Sequence, residues 1–450
     1  MTRMLSTDVD RLQDVGAQAV AIARSIGADH AVASVRANAG VRVTARGGEV
    51  DTALRDAGQG LTLTLYRGAR AGTATTAAFD PAAMAQAAQE ALAIADLMGT
   101  DPDGLPPALA DMALDTPLPP IDAPSGRDPS ALRAMALEGD ALLAATIVPG
   151  ATIETLVAGV ASSEGAEALV TSAGFSRGER YSSHHAWLVA MARDGGGAVN
   201  DSVESNDRRF DRLDPMAALA RRVVARVAGQ LGARSIPSQR SPVLFEARAV
   251  GALIGDLVGA LSGNPQQRGA TFLPDALGRQ VAASHLNLWE DPFEPYGLRS
   301  GGYDREGIAG RRRWVLNGGE AEGLFLGTRS ARRLGMTSTG NAGGPWNLQL
   351  TSQTPGGSFD ALCRQMGRGL IVHRMTGGAT DPVTGNWTYA VSGSWVEDGM
   401  RVHAVTDVTV GGNLRDMLMG IVAVGNDVER SGVVLTGSIL IDDLQIGGAA

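Results

Sequence analysis

The stretch FDPAAMAQAAQEALAIADLM, residues 79–98, decides how the front half of this 450-residue chain is interpreted. It predicts a helix that Asp80 caps and Pro81 begins. An aspartate side chain accepts hydrogen bonds from first-turn amides, and proline lacks an amide that would stay free there. The triplet returns as Leu213-Asp214-Pro215, again before apolar residues at helical spacing. Asp-Pro is also a common helix opener, so the repeat needs support from the surrounding residues.

The residues around both triplets follow the same order. A first helix is predicted at 8–26, where Gly27 ends it, and another begins at Asp128-Pro129 and reaches about residue 145. Alternating runs after the first helix predict antiparallel strands at 31–37, 40–46, 60–66 and 71–76. Four further strands are predicted at 152–159, 168–173, 186–193 and 198–204. We interpret the pattern as a duplicated helix, four-strand, helix unit over about 8–98 and 128–232, joined by a proline-rich linker at 101–124.

After Gln239 the sequence pattern changes to short predicted strands that are rich in glycine. Helices are predicted there at about 247–261, at 359–366 and, less distinctly, at 413–419. The fold class is therefore α+β. We expect an N-terminal α/β domain at 1–235 and a C-terminal β-rich domain, barrel-like or a curved sheet, at 240–450.

Composition excludes several classes of function. The net charge of −9 and an aromatic content of 4% argue against a nucleic-acid partner. No apolar run approaches the roughly 20 residues of a membrane span, and the N-terminus lacks the apolar segment of a secretory signal. With a single cysteine, Cys363, no internal disulfide can form, and a cytoplasmic location is expected. All 39 basic residues are arginine, which excludes a Walker A loop and Schiff-base chemistry.

Apparent catalytic motifs fail on their context. Gly174-Phe175-Ser176-Arg177-Gly178 matches a nucleophile elbow, but a strand is predicted after it where a helix is required, so a hairpin is expected. His184 and His185 are adjacent on a predicted strand and point to opposite faces, so they cannot share a metal. Cys363 is expected to be a buried apolar residue of a helix. The glycines of residues 340–344 are expected to form a tight turn that another backbone approaches closely.

Four segments of the back half carry a resemblance to a known family. They read GMTSTGNAGG at 335–344, GNLRDM at 412–417, VGND at 424–427 and TGSIL at 436–440. In this order they resemble the PmbA (TldE) branch of the TldD/PmbA peptidases. The resemblance implies an α+β N-terminal domain, a β-rich C-terminal domain and a cytoplasmic assembly of two different subunits that cleaves small or unfolded peptides.

The resemblance also implies a missing metal site. In the TldD branch, a helical His-Glu-x-x-x-His motif and a late cysteine hold zinc, and the glutamate is the general base. Aligned on residues 252–269, this motif places Ile254 and Gly259 at the histidines and Gly255 at the glutamate, while Thr436 falls at the cysteine. No cofactor and no catalytic residue are therefore expected in this chain. Zinc is expected in a TldD-like catalytic partner.

Two other classes of function stay open. The first is an autonomous hydrolase that uses Asp256 with His285 or His403. The second is a non-enzymatic binding protein, which an older family label, modulator of DNA gyrase, suggests. Whether the isolated chain forms a homodimer is left open by the sequence.

Contacts with a peptide or a partner are the last expectation. Polar side chains within glycine-rich strands are suited to an extended peptide that adds to a sheet edge. The candidates are Asn341, Asn413, Asn426 and Asp427. The alternative is that these side chains cap turns or pair with buried backbone groups.

Overall fold

The computed structural model describes residues 8–354, 356–430, 432 and 434–449. Its front half contains one sheet whose order is β3-β2-β1-β4-β5-β6, with every neighbouring pair antiparallel. The strands are β1 (His30–Arg46), β2 (Glu49–Arg67), β3 (Arg70–Thr76), β4 (Thr152–Thr171), β5 (Ser176–Asp194) and β6 (Gly197–Asp207). The helices are α1 (Val9–Ser25), α2 (Pro81–Leu97), α3 (Pro129–Ala144) and α4 (Met216–Ala228).

Each half of this sheet contributes three strands, which corrects the four predicted. Residues 31–37 and 40–46 belong to the single strand β1, and 152–159 and 168–173 belong to β4. The prediction broke β1 at Asn38 and Ala39, just before Gly40, and broke β4 at 160–167, where small and polar residues interrupt the apolar alternation. Glycine at this point permits close strand approach, because a Cβ on Gly40 would lie 2.9 Å from the Ser163 Cβ. The order of helix, three strands and helix occurs twice, while its origin by duplication and the domain limits stay predictions.

The four helices lie on one face of the sheet. Ala33, Val35 and Ala37 of β1 pack with α1 and α2, while Val43 and Ala45 of the same strand pack with α3 and α4. All five are odd-numbered, so they project from the same face. Even-numbered residues such as Arg36 therefore occupy the opposite face.

Helix starts follow the sequence signals, with one exception. Asp80 and Asp128 accept hydrogen bonds from first-turn amides of α2 and α3, as predicted. Asp214 does not cap α4, because Pro215 occupies the capping position and the Asp214 carboxylate pairs with Arg222 at 2.6 Å. The second Asp-Pro thus precedes a helix through a different local structure.

The back half contains a closed barrel and a second sheet. The barrel strands are β7 (Gln239–Phe245), β12 (Gly369–Thr380), β13 (Asn386–Glu397), β14 (Met400–Asn413) and β17 (Ile439–Gly447). β14 pairs with β17 and closes the ring, and β15 (Ile421–Val424) extends it from β17. The second sheet contains β8 (Leu286–Asp291), β9 (Arg313–Asn317), β10 (Glu320–Ala321), β11 (Asn347–Ser352) and β16 (Val434–Leu435). The expected β-rich, barrel-like domain is confirmed.

Helices of the back half cover the barrel and its connections. They are α5 (Ala247–Ala260), α6 (Gly263–Arg268), α7 (Thr328–Arg333), α8 (Phe359–Met366) and α9 (Leu414–Met419). The predicted helices at 247–261, 359–366 and 413–419 correspond to α5, α8 and α9, whereas α6 and α7 were not predicted. Cys363 is buried in α8, as expected.

The proline-rich linker packs closely against both halves. Its residues Met112 and Ala113 form a cluster with Phe175 of the β4–β5 hairpin and with Tyr303 and Ile308 of the back half. The Ala113 amide also donates to the Gly307 carbonyl at 2.8 Å. The linker therefore helps to fix the position of the back half on the sheet.

Candidate functional site

Helix α5 is the element on which the resemblance places a metal site. It follows β7 directly, and Val250, Leu253 and Leu257 anchor it in the main core. Ile254 is only 1% exposed and belongs to the same core. Gly255 and Gly259 lie on the exposed face, where a Cβ would meet nothing within 4 Å. The helix is intact, but these three positions present a buried aliphatic chain and two bare backbone positions.

The fourth position does not supply a ligand either. Thr436 is buried, and its hydroxyl donates to the Gly437 carbonyl at 3.0 Å. Zinc in proteins is held by imidazole, thiolate or carboxylate groups, and none stands at these four positions. Within the described ranges, no three His, Cys, Asp or Glu side chains converge to hold a metal ion. The residues at the implied site therefore do not fit zinc.

The residues of the autonomous-hydrolase hypothesis lie in separate environments. Asp256 accepts a hydrogen bond from Thr380 at 2.8 Å, and burial raises the pKa of its carboxyl. His285 lies 2.8 Å from both the Ser352 hydroxyl and the Ile421 carbonyl. Burial and the nearby charge of Arg234 lower the pKa of His403. Asp256 and His285 thus pair with their own neighbours, whereas His403 Nδ1 is buried without a hydrogen-bond partner among the described residues.

A charged cluster between the sheet and the barrel was missed by sequence reasoning. His373 Nδ1 lies 2.8 Å from Glu246 Oε1, and its Nε2 lies 2.8 Å from the Ser394 hydroxyl. Arg226 approaches the other Glu246 oxygen at 3.1 Å. Burial opposes ionisation of Glu246, but the hydrogen bond and charge of His373, with Arg226 and Arg248, hold its pKa at about 2. Four elements, α4, α5, β12 and β13, supply these residues, so no single local motif predicts the cluster.

The order Ser394, His373 and Glu246 resembles a hydrolytic triad, but its placement excludes that role. Ser394 is 5% exposed and pairs with Ile371 on one side and Ala404 on the other, in the middle of β13. A nucleophile needs room for a substrate carbonyl and for oxyanion donors about 3 Å away. His373 is the extra residue of a bulge in β12, and bulges re-aim side chains. Its contacts with Glu246 and Ser394 fix the orientation of the His373 ring.

The same cluster joins the two halves of the chain. Arg248, in the first turn of α5, donates to both carboxylate oxygens of Asp201 on β6, at 3.0 and 2.9 Å. Arg248 also donates to the His373 carbonyl at 2.8 Å. A cavity of about 360 Å³ lies beside these residues, bordered by β6 and β12. The ion pair is a structural link between sheet and barrel.

The predicted contact residues are all placed, in different surroundings. Asn341 is buried and donates to Glu290 at 2.7 Å. Asn413 caps α9 and donates to the Thr384 carbonyl at 2.8 Å. Asp427 accepts from the amide and hydroxyl of Ser438 at 3.0 and 2.6 Å. Asn426, next to Asp427, has an exposed side chain.

These contacts separate the four candidates by availability. Asn341, Asn413 and Asp427 have internal partners, which matches the alternative of turn capping and backbone pairing. Asn426 keeps an exposed side chain, although its backbone amide donates to the Gly357 carbonyl. A role in binding a peptide or partner stays a prediction for all four.

The two sequence motifs set aside on their context behave as expected. Residues 174–178 lie in the β4–β5 hairpin, where Gly174 has a φ of 103° and the Thr171 amide donates to Phe175. His184 is buried between Ser162 and the Ala123 carbonyl, whereas His185 stacks on Trp187 at the other face. The hairpin and the structural histidines are confirmed.

Comparison with known families accounts for most of the chain. The family models described as PmbA/TldA metallopeptidase domain 1, central domain and C-terminal domain match residues 31–95, 120–231 and 238–448. The metalloprotease PmbA of Escherichia coli O157:H7 is 31% identical, over 93% of this chain and 92% of that protein. The metalloprotease PmbA homolog of Haemophilus influenzae is 30% identical, over 99% of this chain and 98% of that protein.

Solved structures show the same fold. A putative modulator of DNA gyrase from Bacteroides thetaiotaomicron superposes with a TM-score of 0.88 at 19% identity, covering 98% of this chain and 99% of its own. TldE from Thermococcus kodakarensis superposes with a TM-score of 0.83 at 19% identity, covering 96% and 100%. Among the described residues, no helix has the length and apolarity needed to cross a membrane.

Proposed function

Because the chain belongs to the PmbA/TldD metallopeptidase family, in its PmbA (TldE) branch, we propose that it is the non-catalytic subunit of a two-subunit zinc peptidase. A TldD-like partner supplies the zinc and the general base. This chain supplies a folded scaffold that shapes the path of small or unfolded peptides to that partner. The proposal places both subunits in the cytoplasm.

The state of α5 carries this proposal. The helix keeps its packing face in the core, yet Ile254, Gly255 and Gly259 replace the three groups that bind zinc or move a proton. A helix that had lost its role in folding would accumulate polar residues on the core face as readily as elsewhere. Retained packing without ligands supports a structural contribution to an assembly.

Reconstitution tests the proposal. The purified chain is expected to contain no stoichiometric zinc by metal analysis and to cleave no peptide alone. Mixing with a TldD-like paralogue should give peptidase activity that a chelator abolishes and zinc restores. One tightly bound zinc per isolated chain would refute the assignment.

A variant of the partner makes the test specific. Replacing the glutamate of the partner's His-Glu-x-x-x-His motif by glutamine should abolish activity while both subunits still co-purify. Activity that survived this replacement would place the catalytic groups in the present chain.

The name modulator of DNA gyrase belongs to the Bacteroides thetaiotaomicron protein, whose similarity to this chain shows a common fold alone. Phosphate contacts require clustered basic charge, and this chain carries a net charge of −9. We therefore do not extend that role to it.

A further inference from the structure

A row of charged side chains crosses the sheet on the face opposite the four helices. The register places Arg36 of β1 opposite Glu167 of β4, and Glu167 opposite Glu179 of β5. Side chains directly opposite each other in an antiparallel pair have Cβ atoms about 5 Å apart, so like charges there repel. Two adjacent carboxylates of this kind call for a proton or a positive group between them.

Glu179 has one oxygen without a partner. The residue is 7% exposed, and its carboxylate accepts a hydrogen bond from the Gly302 amide. Its Oε2 atom is buried and has no hydrogen-bond partner among the described residues. Leaving a buried polar atom unpaired costs about 1–3 kcal/mol, so such an atom marks a place that a missing donor fits.

Two arginines near the pair, Arg208 and Arg177, direct their donors to backbone carbonyls. Arg208 donates to the carbonyls of Gly297, Leu298 and Ser182 at 2.8, 3.1 and 3.4 Å. Arg177 donates to the carbonyls of Ala113 and Thr116. Their charges act on the pair from a distance, but their N–H groups are engaged elsewhere.

The pair meets solvent at Glu167, whereas Glu179 is buried. Burial and the charge of Glu167 raise the pKa of Glu179 to about 7, and burial raises the pKa of Glu167. The groups whose charges act on the pair are Arg36, Arg177, Arg208, Arg305, Tyr181 and Tyr303. Glu167 itself is accessible to solvent. A ligand can therefore reach the pair over Glu167.

We propose that Glu167 and Glu179 form a binding site for the primary ammonium group of a peptide, supplied by its amino terminus or by a lysine side chain. An ammonium group has three donors, enough to pair with both carboxylates and with the free Glu179 oxygen. The chain contains no lysine, so none of its own side chains can supply the group.

The site favours an ammonium group over a divalent metal ion. Calcium takes six to eight oxygen ligands, and the pair offers two carboxylates. Across the described ranges, no third acidic, histidine or cysteine side chain joins such a group. Tyr181 lies in the next row of the same face, with its ring over Gly165, and an aromatic ring attracts a cation.

The inference rests on the proposed function only in naming a peptide as the source of the ammonium group. Its test therefore uses the isolated full chain and requires neither a partner subunit nor peptidase activity. A failure of reconstitution would leave this result unaffected, and the reverse also holds.

Binding of three short probes by calorimetry tests the site. The first is an alanine tetrapeptide amide with a free amino terminus, the second is its N-acetylated form, and the third is an N-acetylated tetrapeptide amide with one lysine. At least one ammonium-bearing probe should bind about tenfold more tightly than the acetylated alanine peptide, a difference of about 1.4 kcal/mol. Binding by the first or third probe alone identifies the source of the group.

Variants and proton release separate this site from non-specific attraction. Glu167→Gln and Glu179→Gln should each weaken ammonium binding about tenfold, whereas Glu154→Gln, at the far end of β4 beside Arg46, should change it less than twofold. At pH 7, binding should release about half a proton, measured in buffers of different ionisation enthalpy, because the pKa of Glu179 falls when a cation binds.

Three results would overturn the proposal. They are equal affinity for the acetylated and free peptides, unchanged binding in Glu167→Gln, and binding without proton release. Because Glu167 is exposed, its variant remains informative even if Glu179→Gln fails to fold.

Discussion

Two glutamates with little solvent exposure have pKa values shifted in opposite directions, and each shift has its own cause. The pKa of Glu246 is held near 2 by His373 and two arginines despite its burial. Burial and the charge of Glu167 raise the pKa of Glu179 to about 7. The charged form of Glu246 therefore stabilises the folded state. The charged form of Glu179 opposes it.

For Glu246, the stabilisation is present above about pH 4.5 and is lost as the pH falls towards 2. Glu246→Gln should lower the free energy of unfolding by about 2–3 kcal/mol at pH 7, because Arg226 and Arg248 lose their counter-charge. Denaturant midpoints measured from pH 7 to pH 2 check this. A difference between variant and parent that stayed constant down to pH 2 would show that the carboxylate charge is not the cause.

For Glu179, stability changes with pH in the opposite direction. Its folded-state pKa lies above the ordinary value of 4.5, so folding binds a proton and stability declines as the pH rises from about 4.5 to 7. Glu179→Gln should raise the free energy of unfolding at pH 8, by up to about 3 kcal/mol, and leave it unchanged at pH 4.5. Lower stability of the variant at pH 8 would contradict the assigned pKa. A more stable variant that binds ammonium poorly would indicate a carboxylate kept for binding.

At the scale of single elements, α5 offers a test of how its glycines are used. Gly255 and Gly259 lie in a helix interior where a Cβ meets nothing within 4 Å. Gly255→Ala and Gly259→Ala should each stabilise the chain by about 0.5–1 kcal/mol, because alanine loses less backbone entropy. Thermal unfolding measures the change.

Gly72 of β3 provides the matched control. A Cβ there would collide with the backbone of α2 at Ala91 and Ala95. Gly72→Ala should therefore destabilise the chain by about 1–3 kcal/mol. If the α5 variants were destabilised to the same extent, their exposed face would have to be covered by protein.

Elements differed in how well the sequence predicted them, for reasons that single residues show. Asp80 and Asp128 signal helix starts because their capping bonds are local. The break predicted in β1 at Asn38 and Ala39 is wrong, since strand continuity there depends on pairing with Gly165 and Glu164 of another strand. The helices α6 and α7 have only six residues each, too few for a periodic pattern.

The candidate sites also differ in whether local sequence or tertiary contacts define them. The resemblance predicts where ligands are missing, at Ile254, Gly255 and Gly259, because these positions lie on one helix. The His373 cluster and the Glu167–Glu179 pair could not be predicted, because tertiary packing and strand register bring their members together. No local sequence motif specifies the register between two strands.

At the scale of the whole molecule, the ion pair between Arg248 and Asp201 links sheet and barrel. Asp201 is buried, and Arg248 contacts both of its carboxylate oxygens. Arg248→Ala should lower the free energy of unfolding by about 3 kcal/mol, because the buried carboxylate loses its paired positive charge and keeps only the hydrogen bonds from Gln230 and the Ser202 amide. Arg240→Ala removes an exposed pair with Asp443 and should leave the denaturant midpoint nearly unchanged. Equal denaturant midpoints for the two variants would refute a linking role.

The central claim, that this chain supports a zinc peptidase without contributing to its chemistry, is tested most directly by peptidase assays on a reconstituted pair. With a TldD-like partner, Gly255→Ala in this chain should leave the activity within twofold of the parent, while replacing the partner's motif glutamate should abolish it. Peptidase activity of the isolated chain, or activity of the pair that survived loss of the partner's glutamate, would contradict the account.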